Sequence, residues 1–126
     1  AGLDILHFES REWLDSIAFL KDEIRFFDYL LRKKETIKKN DPDFEQMLKS
    51  LNKIHKDLFV DLEDKIIAHE QLLARLEKGE KGLSDADYRS QHQHLFLAMN
   101  MFTNDFKSFK KIVFDNERQN HLSTNK

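Results

Sequence analysis

Two histidines and two glutamates are the residues of this 126-residue chain whose types and spacing could do chemistry. His69 and His92 both fall on apolar helical seams, and folding the chain back at its two turns sets them opposite each other, near Glu9 and Glu12. Two imidazoles with a carboxylate are a ligand set that zinc or iron accepts. The same residues suit a polar core layer, in which each histidine pairs with a carboxylate or a backbone carbonyl. We expect the polar layer, and keep a metal- or small-ligand site, or a pH-sensing histidine pair, as alternatives.

The sequence contains no catalytic motif. It has no Glu-x-x-His pair of the kind that diiron bundles use, and no two histidines four positions apart. It has no Cys, which excludes disulfides, thiolate metal sites and cysteine nucleophiles. Gly79 and Gly82 suit a helix cap and a turn rather than a phosphate-binding loop. We therefore predict a protein that is not an enzyme and needs no cofactor.

Positive charge concentrates in part of the chain. Residues 31–60 and 103–118, which antiparallel folding places at one end, carry a net charge of +4, whereas the rest carries −6. A basic surface favours an anionic partner such as nucleic acid, although cations at a helix C-terminus also balance the helix dipole. Because acids are interleaved with these cations, nucleic-acid binding is only a second alternative. Its candidate residues are Arg32, Lys33, Lys34, Lys38, Lys39, Lys107, Lys110 and Lys111.

The few helix breakers divide the chain into three segments. Asp41 and Pro42 predict an N-cap followed by a first helical residue. Gly79 predicts a C-terminal cap, and Ser84 with Asp87 forms a capping-box-like pair. Each segment between these signals repeats apolar residues at steps of three and four, which is typical of a helix with one buried face.

These signals predict one all-α domain, an antiparallel up-down-up bundle of three long helices. The expected bounds are residues 5–38, 42–78 and 84–118 for the helices and 119–126 for a polar, frayed C-terminal tail. In the second helix, Leu58, Leu62 and Ile66 follow at two steps of four, a stutter that we expect to unwind the supercoil locally.

Phenylalanine is unusually frequent, with 11 residues. Phe19, Phe26 and Leu30 lie one seam-width outside the main apolar stripe of the first helix, and Phe96 and Phe114 lie outside that of the third. Packing within the chain would explain them, and so would a surface for a partner, since contiguous exposed apolar area usually marks an interaction site. We expect a non-enzymatic interaction or scaffolding module that binds itself or another helical protein, and so completes a larger bundle.

The stretch from Glu12 to Ile24 reads EWLDSIAFLKDEI. It resembles the first long helix of a group of small, uncharacterised bacterial helical-bundle proteins, where a similar Trp precedes an aromatic or apolar pair and then Lys-Asp-Glu. The likeness covers the first helix, and the rest of the chain shares a coiled-coil pattern with them. The resemblance implies a helical bundle and carries over no activity, cofactor or catalytic residue.

Neither a membrane span nor a signal peptide is expected. No apolar run approaches the roughly 20 residues that a membrane-spanning helix needs. The first ten residues lack the basic start and apolar block of a signal peptide. A chain without cysteine suits the cytoplasm, which is where we place it.

Overall fold

A computed structural model of the chain describes residues 2–35, 37–38 and 40–124, and for residues 120–124 it describes the backbone alone. Within these ranges the chain is an all-α bundle without strands, as predicted. Its elements are α1 (Leu3–Lys33), α2 (Pro42–His55), a π-helical segment (Lys56–Leu62), α3 (Glu63–Glu77) and α4 (Asp85–Thr124). We call α2, the π-helical segment and α3 together the middle helix, because no turn separates them.

The start of α2 is capped as the sequence predicts. The Asp41 carboxylate accepts hydrogen bonds from the backbone N–H groups of Asp43, at 2.9 Å, and Phe44, at 3.4 Å. Pro42 occupies the first turn, where its missing N–H costs nothing. The turn between residues 33 and 42 therefore ends at a well-defined residue.

The second turn also follows the prediction. Gly79 has φ +74°, the left-handed conformation that glycine adopts easily after a helix. The hydroxyl of Ser84 accepts a hydrogen bond from the backbone N–H of Asp87 at 3.1 Å, which caps the start of α4. These two ends fix how the middle helix and α4 fold back on each other.

The first helix is shorter than predicted, since α1 ends at Lys33 and not at residue 38. After Lys34 the chain makes a turn in which the backbone N–H groups of Ile37, at 3.1 Å, and Lys38, at 3.0 Å, donate to the C=O of Lys34. Lys34 and Lys38 therefore lie one turn apart, and the pKa of Lys34 is lowered first by burial and then by the charges of Lys38 and Lys33. The sequence has no Gly or Pro between Lys33 and Asp41, so no helix breaker marks this end.

The last helix is longer than predicted, because α4 continues to Thr124. The expected polar tail over 119–126 is thus wrong up to that residue, and Asn125 and Lys126 lie outside the described residues. No Gly or Pro follows Gly82 in the sequence, so no backbone chemistry interrupts the helix. Polarity alone does not end a helix, since its backbone bonds are made within it.

The π-helical segment lies where the apolar spacing stutters. Leu58, Leu62 and Ile66 are all buried, although steps of four would carry a regular α-helical seam away from the core. The wider turn of a π-helix takes up one extra residue and so keeps these side chains facing inward. The extra residue of the stutter is thus taken up within the π-helical segment.

Two apolar clusters fill the bundle and a polar layer separates them. The larger cluster ends at Trp13, and the smaller consists of Leu6, Leu73 and Tyr88. On each of the three helices, one polar residue lies between the two clusters and is buried. These residues are Ser10, His69 and His92.

The outer helices α1 and α4 run parallel, and each packs more closely on the middle helix than on the other. They meet mainly through large side chains, such as Phe27 and Phe109, whose ring centroids are 5.7 Å apart. Their separation leaves open grooves along this side of the bundle. In the part of the chain that the structure describes, no helix combines the length and apolarity needed to cross a membrane.

Candidate functional site

The structure brings His69 and His92 together, as the antiparallel folding predicts. His69 Nε2 and His92 Nδ1 are 3.0 Å apart, so one ring nitrogen donates a hydrogen bond to the other. On the opposite side of its ring, His92 Nε2 is 3.4 Å from Glu9 Oε1, within ion-pair distance but long for a hydrogen bond. Three of the four predicted residues therefore share one buried layer.

The fourth, Glu12, does not join this layer. It lies about one helical turn beyond Glu9 and is exposed, and among the described residues the carboxylate beside His92 is that of Glu9. Within the described ranges, no three or more His, Asp or Glu side chains come together in a way that would hold a metal ion. The carboxylate of Glu9 meets the outer nitrogen of His92, while the inner nitrogen faces His69. This geometry matches the polar core layer better than the metal alternative.

Aromatic rings enclose the histidine pair from both sides. The Tyr88 ring lies parallel to His69, with centroids 4.1 Å apart and planes 1° apart. Trp13 stacks on His92 with centroids 4.7 Å apart. The sequence placed Trp13 at this level but did not single out Tyr88, which occupies an ordinary seam position on α4. The two rings hold both imidazoles in fixed orientations and keep the bond between them dry.

Several polar atoms of this layer have no hydrogen-bond partner. Among the described residues, these buried atoms are Ser10 Oγ, His69 Nδ1, Glu70 Oε1, Tyr88 Oη and His92 Nε2. A buried polar group without a partner costs about 1–3 kcal/mol, so the layer weakens the bundle locally. The His69–His92 hydrogen bond favours the observed pairing of helix faces, because another register would leave it unmade.

Burial shifts the titration of two groups in the layer. It lowers the pKa of His69 to about 4, and the charge that His92 can carry acts in the same direction. It raises the pKa of Tyr88 to about 12, with the Glu70 carboxylate adding to the effect. At neutral pH, His69 is therefore an uncharged imidazole and Tyr88 an uncharged phenol.

A second candidate site lies between α1 and α4, and we call it the aromatic face. It consists of Phe19, Phe26, Phe96 and Phe114, which are 67%, 55%, 38% and 52% exposed. These are four of the five predicted surface residues. The fifth, Leu30, is partly buried against the core and contributes little to this surface.

Two open grooves make the aromatic face uneven. One, of about 450 Å³, lies beside Phe19 and is lined by Leu20 and Met99. The other, of about 390 Å³, lies between Phe26 and Phe114. The aromatic face therefore combines exposed rings with two apolar hollows.

Phe8 extends the aromatic face and was not predicted. It lies eleven positions before Phe19, which is close to three full helical turns, so both side chains project from the same side of α1. Phe8 is 64% exposed. The signal was present in the spacing, but Phe8 precedes the first clear repeats of the seam.

Three residues of the predicted basic patch are paired with neighbouring acids. Arg32 Nε is 2.9 Å from Asp28, and Lys110 Nζ is 3.1 Å from Glu23. Lys34 forms an ion pair with Glu117. Lys39 lies outside the described residues. Four further cations belong to the predicted patch: the exposed Lys33, Lys107 and Lys111 and the half-buried Lys38. They do not form a continuous stripe with the paired cations.

Comparison of the sequence with family models and with curated proteins, and of the structure with solved structures, found no match. The assignment of function therefore depends on the geometry of these two sites and on charge.

Proposed function

We propose that the protein is a self-associating helical module whose aromatic face binds the same face of a second copy in an antiparallel arrangement. The observation that supports this is a stripe of four exposed residues on α1, each seven positions from the next: Glu12, Phe19, Phe26 and Lys33. Residues at heptad spacing lie on one side of a helix. The stripe is acidic at one end, aromatic in its centre and basic at the other end.

This order is complementary to itself only when the two copies run in opposite directions. Antiparallel pairing sets Glu12 against Lys33 of the second copy, twice, and Phe19 against Phe26. Parallel pairing would set acid on acid and base on base, which disfavours it. Neither Glu12 nor Lys33 forms an ion pair with any other described residue of its own chain, so both are available to a partner.

The rest of the molecule favours the same direction. The described contacts place residues 31–60 and 103–118 at one end, as the ion pair of Lys34 with Glu117 shows. That end carries +4 and the remainder carries −6, so antiparallel copies bring opposite charges together. Phe96 and Phe114 on α4 add apolar area towards both ends of the contact. Apolar burial supplies the affinity, and charge supplies the direction.

Replacing the two central rings tests this proposal. We expect the wild-type chain to form dimers at micromolar concentration in sedimentation equilibrium. The double variant Phe19→Glu/Phe26→Glu should be monomeric, because four carboxylates would meet at the centre of the contact. Both rings are more than half exposed, so helicity and melting temperature of the monomer should change little.

The matched control is Val60→Glu/Ile67→Glu, which adds the same two charges at apolar residues of the middle helix that are 58% and 40% exposed and line neither groove of the aromatic face. This variant should remain dimeric. A wild-type chain that stays monomeric throughout the micromolar range would contradict the proposal, and so would a double variant that still dimerises.

A further inference from the structure

A third groove lies between the middle helix and α4, on the other side of α4 from the aromatic face. Its volume is about 480 Å³, and its floor includes Ile54, Phe109 and Ile112. Thr103 and Lys110 of α4 line the grooves on the α1–α4 side. Asp105 and Ile112 each follow one of them by two positions, and two positions correspond to about half a turn around the helix. A partner in this groove would therefore leave the aromatic face free.

The floor of this groove is buried at Ile54 and Phe109, whereas two other apolar side chains of the grooves are exposed. Ile112 is 55% exposed, and Met101 is 66% exposed on a smaller groove of about 230 Å³ that continues the first one. Together the two grooves extend along the middle helix from Asp43 to Lys65, a length of about 30 Å. The surface is long and narrow, as a docking site for one helix is.

Acidic side chains line the rim on both sides. Five aspartates face two lysines, which gives the grooves a net charge of −3 although they lie largely at the basic end of the molecule. The aspartates are Asp43, Asp57, Asp61, Asp105 and Asp115. Lys53 is paired with Asp57 at 2.8 Å, and its pKa is raised mainly by Asp57 and to a lesser extent by the charge of Asp105.

The charge of the rim acts at contact distance. Asp43 and Asp115 have no cation within ion-pair distance among the described residues, so both retain their charge for a partner. Salt screens charges beyond about 10 Å, which limits the influence of the lysines elsewhere on this end. A bound helix would therefore interact mainly with the aspartates beside it.

We propose that this acidic groove binds an amphipathic α-helix of another protein, one whose apolar face is flanked by Lys and Arg. The apolar side of that helix would cover Ile112 and Met101, and its cations would reach Asp105 and Asp115 on one rim and Asp43 on the other. With the self-association proposed above, each dimer would present two such grooves. The inference does not require the dimer, since a single chain contains the whole groove.

A synthetic peptide tests the groove directly. The probe is a fluorescent helix of about 18 residues built from Leu and Lys at amphipathic spacing, with a Leu and Glu peptide of the same pattern as its counterpart. We expect fluorescence anisotropy to show binding of the Leu–Lys peptide and none of the Leu–Glu peptide. Asp105→Lys/Asp115→Lys should weaken binding at least about tenfold.

Two controls separate the groove from general attraction between charges. Asp4→Lys/Asp64→Lys makes the same charge change at exposed positions outside the groove, and should alter the affinity less than about twofold. Ile112→Glu adds an acid but removes apolar floor. It should weaken binding if the groove holds the apolar side of the peptide, whereas purely electrostatic binding would become tighter.

Several results would overturn the inference. These are absence of Leu–Lys peptide binding, equal effects of the two lysine pairs, or tighter binding by Ile112→Glu. Binding that is lost in Phe19→Glu/Phe26→Glu would place the peptide on the aromatic face instead. If the groove variants abolish self-association while Phe19→Glu/Phe26→Glu does not, the groove binds a second copy of this chain. That result would contradict both proposals, and it differs from the result that contradicts either one alone.

Discussion

His69 is buried, and burial disfavours a positive charge on its ring. The groups that face it or its partner are His92, Glu9, Glu70, Gln91 and the ring of Tyr88. Burial first, and then the charge that His92 can carry, lower the pKa of His69 to about 4, from an ordinary value of 6.5, against an opposing hydrogen bond with Gln91. His69 is therefore uncharged at neutral pH, and the layer is sensitive to acid.

This sensitivity predicts a loss of stability between about pH 6.5 and pH 4. The unfolded chain binds a proton at residue 69 below pH 6.5, whereas the folded chain does not until about pH 4. Acid therefore favours the unfolded state over this window, by up to about 3 kcal/mol. Urea unfolding at pH 7.5 and at pH 4.5, at one protein concentration, measures the difference.

The variant His69→Phe isolates this contribution, because its ring can still stack on Tyr88 but cannot titrate. It should lose less stability than the wild type on moving from pH 7.5 to pH 4.5, even if it is less stable at both. His94→Gln, which removes an exposed histidine, should keep the full loss. Equal losses in His69→Phe and the wild type would show that other groups cause the acid sensitivity.

The residue-level prediction from sequence succeeded where spacing determines position. Level matching across two short turns was sufficient to pair His69 with His92 and to bring Glu9 and Trp13 beside them. It could not choose between Glu9 and Glu12, because one residue of helix rotation decides which carboxylate faces inward. It also gave no reason to notice Tyr88, whose stacking on His69 depends on ring orientation rather than on spacing.

At the scale of the elements, the middle helix carries one residue more than a regular seam needs. Removing one position between Leu58 and Leu62 would restore alternating steps of three and four from Phe44 to Leu76. The π-helical segment holds that extra residue, and π-helical turns are rarely the most stable choice for a helix. The segment also contributes Asp57 and Asp61 to the acidic groove.

Deletion of Val60 therefore should not harm the fold. Val60 is 58% exposed, so its loss removes little core, and the shortened middle helix can become α-helical throughout. We expect a melting temperature equal to or above that of the wild type, measured by circular dichroism. Deletion of the exposed Gln71 is the control. It rotates the apolar seam after the deletion by about 100° relative to the seam before it, and should lower the free energy of unfolding by at least about 3 kcal/mol.

A deletion of Val60 that destabilises the protein as much as deletion of Gln71 would contradict this account of the π-helix. The sequence stutter located the irregularity correctly, but it did not reveal its form. Unwinding the supercoil and widening the helix both satisfy the same spacing, and packing against α1 and α4 on both sides decides between them. The helix ends at Lys33 and Thr124 were missed for a different reason, since no Gly or Pro directly follows either residue in the sequence.

At the scale of the whole molecule, the two ends differ in charge and the two sides of α4 differ in character. One side carries exposed phenylalanines and the other an acidic groove, and the two proposals assign a different partner helix to each side. Sequence composition indicated the first surface through its excess of Phe. It did not indicate the second, because the aspartates of the groove come from separate helices and meet only after folding.

The direction of self-association is tested by exchanging the charges at the ends of the α1 stripe. Glu12→Lys alone should weaken the dimer about tenfold or more, because the introduced lysine of each copy would then face Lys33 of the other. Glu12→Lys/Lys33→Glu should restore wild-type affinity, since the antiparallel pairs are reversed but still opposite in sign. In a parallel dimer each residue would face the same residue of the other copy. Glu12→Lys would then replace a Glu–Glu contact by a Lys–Lys contact, which is no more repulsive. The double exchange would also leave like charges opposite each other, so it would not improve on the wild type. Sedimentation equilibrium of the three chains at low salt, where charge contributes most, therefore distinguishes the two directions.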